Sequence, residues 1–371
     1  MADNKEKLYG YVVDKKFFND KISALDYAGN KNLDKVKLYF LDDQWKNVCW
    51  TKEPTESFQQ LVETRCKQIR EQFNTVSLFF SGGYDSTTIL NGFINTGSKI
   101  DELIFWRREW IPYELQEFSY AYEIGKNIKK DIWPSLKLTL YTRTVENEIK
   151  FYKKLKNKWI QNSYNRIGLA KNIRNLEFEA NAELRGKNKK NNHIYIEGRD
   201  KPRLDLIDDN WYATMNDDLL QYCMYNSAEQ FYFSPSFPEL HVKQCHMMIS
   251  WLEKNFQCTH DNIHQLQSHL LNKKIYEQWN LSIGRNNILH TASRFGEHKN
   301  FYTLGINSYE NSMLKKSIQE NNLDILKIWQ KGIQEIKKEF SYAWNTNNNN
   351  LKTIISKQHY IKKYDKNKLT L

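Results

Sequence analysis

Cysteine is scarce in this chain, and its spacing excludes a disulfide framework. The five residues (Cys49, Cys66, Cys223, Cys245, Cys258) are odd in number and include no CxxC pair. They read as reduced thiols, mostly core. Six prolines and 14 glycines in 371 residues are too few for a collagen-like or Pro/Gly-rich low-complexity chain. No run approaches the roughly 20 apolar residues that span a bilayer. The polar stretch Met1 to Lys7 leads into no apolar segment of signal-peptide length. A soluble, cytoplasmic protein without a membrane partner is expected. Two nucleotide signatures are also missing, GxxxxGK[ST] and GxGxxG, which disfavours γ-phosphate NTPases and nicotinamide enzymes.

Aromatic residues are plentiful. With 22 Tyr, 19 Phe and 11 Trp, and 40% hydrophobic residues overall, the chain has ample material for a large core. The formal charge of +11 is unevenly spread: residues 143–203 hold 16 Lys and Arg against 7 Asp and Glu. Two readings stay open for that segment, a solvated basic insertion or a surface for nucleic acid or another polyanion.

Short apolar runs at Leu8 to Val13 and Val36 to Leu41 suggest a small strand-containing piece over residues 1–52. Pro54 and Thr55 then open a helix with Phe58, Leu61, Val62, Ile69 and Phe73 at helical spacing. The uninterrupted run Thr75 to Phe80 reads as a parallel strand covered on both faces. Helix is predicted at about 86–96, 114–130 and 145–159, alternating with strands at Leu103 to Trp106, Leu136 to Tyr141 and His193 to Glu197. This alternation predicts an α/β fold with a doubly wound, mainly parallel, Rossmann-like sheet over residues 53–218, carrying a basic insertion at about 143–192. Residues 219–345 read as mainly helical, with candidates at 240–256, 260–271, 308–321 and 323–340. An Asn/Lys-rich tail, 346–371, has a composition that buries little.

The segment Ser81-Gly82-Gly83-Tyr84-Asp85-Ser86-Thr87 lies between a buried strand and a helix N-terminus. Gly82 and Gly83 permit a sharp turn with backbone N–H groups held against an anion, and the helix adds its positive dipole end. Ser81 and Ser86 supply hydroxyls, and Asp85 can hold the Mg²⁺ that accompanies a triphosphate.

This Ser-Gly-Gly-x-Asp-Ser loop after a hydrophobic strand resembles the signature of the PP-loop ATP pyrophosphatases. The likeness is strongest over residues 58–141, and its nearest members look like the synthetase domain of asparagine synthetases and the 7-cyano-7-deazaguanine synthases. The overall layout looks like the asparagine-synthase-like proteins of large-genome bacteriophages. The resemblance implies ATP and Mg²⁺ as cofactors, with the loop residues 81–87 binding ATP, and cleavage between the α and β phosphates. It also implies an adenylated small-molecule acceptor whose AMP is displaced by an amine. The departures matter. Met1-Ala2 offers no glutaminase cysteine, so ammonia would come free or from a partner, and the four zinc-binding cysteines of the deazaguanine synthases are missing. A nucleobase-modifying enzyme and a non-catalytic nucleotide-binding partner remain alternatives, and the oligomeric state is left open.

Three further groups are candidates. Arg199, Asp200, Lys201 and Arg203 follow a predicted strand, where open α/β sheets bind ligands, with Lys201 a candidate catalytic residue. Asp217 and Asp218 are substrate candidates. Lys243, one turn into a helix, is a candidate to neutralise charge on the α-phosphate. Cys245, His246, Cys258, His260, His264 and His269 are the one metal-like grouping, though no tight spacing completes a site. Trp106 and Trp110 could flank adenine or serve the core.

Overall fold

The computed structural model describes residues 9–110, 117–147, 192–198, 202–217, 228–266, 316, 320, 323–346 and 350–368. The N-terminal piece folds as β1 (Tyr9–Val13), β2 (Lys16–Phe18), α1 (Lys21–Ala28), β3 (Lys37–Phe40) and the single turn α2 (Asp42–Trp45). Its antiparallel sheet runs β2-β1-β3. Asp20 caps α1 by accepting from the Ser23 amide at 2.8 Å.

The helix α3 (Phe58–Gln72) starts three residues beyond its expected opening. Ser57 and Gln60 form a reciprocal capping box, which satisfies two orphan donors at that point. Then follow β4 (Thr75–Phe79), α4 (Tyr84–Asn95), β5 (Glu102–Arg108), α5 (Glu117–Asp131), β6 (Lys137–Arg143) and β7 (His193–Glu197). A hairpin of β8 (Arg203–Ile207) and β9 (Asn210–Thr214) leads on to β10 (Ala228–Gln230). The remaining described elements are α6 (Glu239–Asn255), α7 (Ile263–Leu266), α8 (Leu323–Glu339), β11 (Trp344–Asn345), β12 (Asn350–Leu351) and β13 (His359–Lys363).

The expected parallel α/β sheet is present, in the order β10-β7-β4-β5-β6 with every pairing parallel. From β4 the chain winds outward through β5 to β6, then returns to β7 on the other side of β4. The order therefore reverses between β4 and β7, and such a switch point leaves a crevice at the carboxyl ends of the strands. One face of the sheet is apolar: α5 lies so close over Phe105, Leu138 and Leu103 that only Gly125 fits at the contact. Across the β4, β5 and β7 register runs a polar strip. The Ser77 hydroxyl donates to Glu102 at 2.7 Å and lies 2.8 Å from His193 Nε2. Glu102 also takes Lys137 at 2.9 Å. Burial alone would raise the Glu102 carboxyl, but the hydrogen bonds from Thr139, Lys137 and Ser77 hold it below the usual range.

Two expectations need correction. The hairpin β8–β9 was not foreseen; its turn places Asp208 and Asp209 at φ 48° and 57°, a left-handed conformation that aspartate tolerates better than most residues. The tail is folded over residues 350–368. β13 pairs antiparallel with β9, burying Ile354, Ile361 and Tyr364. The helix expected at 145–159 and the basic insertion lie almost wholly outside the described residues, as does most of the segment 267–322.

The N-terminal piece is anchored to these later elements. The Leu38 amide donates to the Ile355 carbonyl at 2.9 Å, and the Lys21 ammonium meets Asp217 at 2.8 Å with both side chains 1% exposed.

Candidate nucleotide site

The site is built where β4 meets α4. β4 is buried at Val76, Ser77 and Leu78, and the chain leaves it at the switch point through Ser81, Gly82 and Gly83. Gly82 has φ +71°, and a Cβ there would lie 3.0 Å from the Ala121 Cβ of α5. Conformation and space both demand glycine. The Ser81 Oγ accepts from the Gly83 amide at 3.3 Å and lies 3.3 Å from Ser86 Oγ; Ser86 in turn donates to the Gly83 carbonyl at 3.2 Å. The two hydroxyls thus clasp the turn ahead of α4. Asp85 stands in the first turn of that helix, half-buried. Thr87 is buried, and its Oγ1 has no hydrogen-bond partner among the described residues.

Two distant segments brace this turn from behind, and neither was foreseen. The Tyr232 hydroxyl donates to the Asp85 carbonyl at 2.8 Å. Burial, then the Asp85 charge, pushes the Tyr232 phenol well above its ordinary range, so it stays a donor. Gly198, just past β7, packs on the same backbone: a Cβ there would fall 3.2 Å from the Asp85 carbonyl carbon and 2.6 Å from Ile89 Cδ1.

The other predicted site residues separate. Lys243 pairs with Glu53 at 2.7 Å and donates to the Pro54 carbonyl at 3.0 Å, because α6 packs along the segment leading into α3. Asp217 is enclosed with Lys21 and is 3.4 Å from the Tyr11 hydroxyl, which ties it to the N-terminal piece. Arg203 lies on β8 with Asp205 at 3.5 Å. Arg199, Asp200, Lys201 and Asp218 lie outside the described residues, as do His269 and the His264 side chain.

Among the described residues no group of three or more His, Cys, Asp or Glu is gathered closely enough to hold a metal ion by itself. Cys245 is buried on α6, burial pushing its thiol up beyond the ordinary range. His246 bonds the Trp50 carbonyl at 3.0 Å, and His260 is exposed beside Asp261. Trp106 stacks with Phe79 at 6.2 Å and lies against Tyr141, in keeping with a packing role, while Trp110 lies beneath Arg143. Among the described residues no helix is long and apolar enough to cross a membrane.

α6 carries a different buried feature, His241, enclosed by Trp45, Trp50 and Phe233 with ring centroids 5.7, 5.5 and 4.5 Å away. Neither ring nitrogen has a hydrogen-bond partner among the described residues. Burial first, then His359, lowers its pKa from the ordinary 6.5 to about 3. The unfolded chain therefore binds a proton between those values that the folded chain refuses. Stability from this group is complete above pH 6.5 and falls by up to ~1.4 kcal/mol per pH unit as the solution is acidified towards pH 3. Urea unfolding from pH 7.5 to 4.5 should show a shallower acid slope in His241→Leu than in the wild type. Equal slopes would contradict this.

No family model matches the chain, and no curated protein matches it. Among solved structures it is similar to the NMN synthetase of Francisella tularensis, at 12% identity and a TM-score of 0.27, over 39% of this chain and 56% of that one. The chain thus spans little more than half the length of that relative. It is also similar to the NH3-dependent NAD synthetase of Campylobacter jejuni in complex with the nitrate ion, at 14% identity and a TM-score of 0.29, over 72% of this chain and 95% of that one. Likeness at this level says nothing of what this chain binds.

Proposed function

We propose that this chain is an ATP-dependent, AMP- and pyrophosphate-forming ligase of the PP-loop class, asparagine synthetase-like in its chemistry. The observation that carries the reading is the turn at Gly82. It has a left-handed glycine pressed against α5, two hydroxyls clasping it, and a helix N-terminus immediately beyond, all at the switch point of a parallel sheet. The backbone amides of residues 82–86 would hold the pyrophosphate portion of ATP, with the Ser81 and Ser86 hydroxyls adding donors. Asp85 would hold Mg²⁺, which supplies charge neutralisation on the phosphates. An acceptor carboxylate or carbonyl oxygen then attacks the α-phosphorus as the bond to pyrophosphate breaks, and an amine subsequently displaces AMP. The protein's contribution is positioning and fixed dipoles.

The test is to incubate the purified chain with α-labelled ATP, Mg²⁺ and pools of amino acids, deazapurines or tRNA, and to separate AMP from ADP. AMP appearing with one pool is expected, and the pool distinguishes the amidating reading from the nucleobase-modifying one. ADP as product, or no turnover with any pool, would overturn the ligase.

A further inference from the structure

The two ends of the parallel sheet are unlike. At one end β10 has only three residues, a length that blunts an edge against pairing with another strand. At the other end β6 runs for seven, Lys137–Arg143, in unbroken register with β5 from Glu102 opposite Lys137 to Arg108 opposite Arg143. It contains no proline and no bulge. Among the described residues no strand pairs with its far side.

Two contacts fix which backbone groups that far side presents. The Lys137 amide donates to the Asp101 carbonyl at 2.9 Å, and the Arg143 carbonyl accepts from the Glu109 amide at 3.0 Å. Both residues thus turn their backbone groups towards β5, and by the two-residue period of a strand so do Thr139 and Tyr141. Leu138, Leu140 and Thr142 therefore aim their N–H and C=O groups outward along the edge. Leu140, at the middle, is a large apolar side chain left 37% exposed, and Thr142 is exposed as well. The charges of β6 stand at its ends, where each is engaged within the chain. Lys137 meets Glu102 at 2.9 Å, and the buried Arg143 guanidinium lies 5.3 Å from the Trp110 ring centre. The usual devices that protect an open edge are thus missing from its centre.

We propose that the β6 edge is an interface for a second copy of this chain, the two β6 strands pairing antiparallel about a two-fold axis at Leu140. The edge is self-complementary about that residue. Turned about the axis, Leu140 faces the partner's Leu140 and Leu138 faces the partner's Thr142, so each outward N–H meets an outward C=O. The two leucine side chains meet on one face and leave water together. Both parallel sheets become halves of one continuous sheet. A single strand pair is smaller than the interface of a tight complex, so half-association is expected at roughly 10–100 µM. The formal charge of +11 on each copy opposes association, which salt should therefore strengthen.

Sedimentation equilibrium of the full chain, from about 5 to 300 µM at ~0.15 M salt, tests this. A monomer–dimer equilibrium is expected. Leu140→Lys and Leu140→Glu each set like charges against one another on the axis, and each should weaken association by about tenfold or more. An equimolar mixture of the two variants should associate again, because opposite charges then face across the axis. Thr142→Pro removes an outward N–H but no bond to β5, and should weaken association by about tenfold. A wild type that stays monomeric at the highest concentration would overturn the interface. So would association that survives both charge variants or Thr142→Pro, or a mixture that associates no better than its components.

Discussion

Asp85→Asn is expected to reduce AMP release from Mg·ATP by about 10²–10³-fold or more, a loss of ~3–4 kcal/mol in the transition state. The amide has the shape of the carboxylate but cannot hold a divalent cation beside the phosphates. The Tyr232 hydrogen bond and the packing of Gly198 both fall on its backbone rather than its side chain. The substitution therefore leaves the turn intact, and the thermal unfolding midpoint should not move. Full activity in this variant would remove the role assigned to Asp85. A fallen midpoint would mean that the side chain, rather than the backbone, supports the turn.

Lys21→Met is expected to destabilise the fold by about 3–5 kcal/mol, the usual consequence of stranding one member of a buried ion pair. The Lys21 and Asp217 side chains are enclosed together, 2.8 Å apart. Without the ammonium, the Asp217 carboxylate loses its buried cation while the Tyr11 hydroxyl stays at 3.4 Å. Adding Asp217→Asn to the Lys21→Met chain removes the stranded charge and should recover part of the loss. Urea titrations of the wild type, the single variant and the double variant measure both steps. A single-variant cost below about 1 kcal/mol would mean that the pair does not hold the N-terminal piece in place.

The sheet was readable in the sequence because a strand covered on both faces is written as a short continuous apolar run. The runs at Thr75 to Phe80, Leu103 to Trp106 and His193 to Glu197 fall on β4, β5 and β7. The loop was readable because paired glycines between such a run and a helix serve few other purposes, and Gly82 adopts the left-handed conformation that glycine permits. Helix α6 was placed within a residue, but the Glu53 partner of its Lys243 was not foreseen. Periodicity locates a helix face but cannot say that Glu53, 190 residues earlier, meets it. Tyr232 was overlooked for the same reason, since a hydroxyl that reaches a carbonyl 147 residues away leaves no local pattern. Composition misled at the tail: Lys and Asn surround Leu351, Ile354, Ile361 and Tyr364, but four well-spaced apolar side chains suffice when β9 offers a partner strand.

The place of β4 in the sheet has a consequence for how the protein is made. β4 and its loop leave the ribosome early, but the strand on its far side is β7, which begins at His193. Gly198 and Tyr232, which back the Asp85 turn, come later still. At ordinary elongation rates that interval is on the order of ten seconds. Throughout it a nascent chain exposes the open edge of β4, a template for pairing with other chains. The turn at Asp85 lacks the backing that shapes it, and this is the interval in which a chaperone has something to protect.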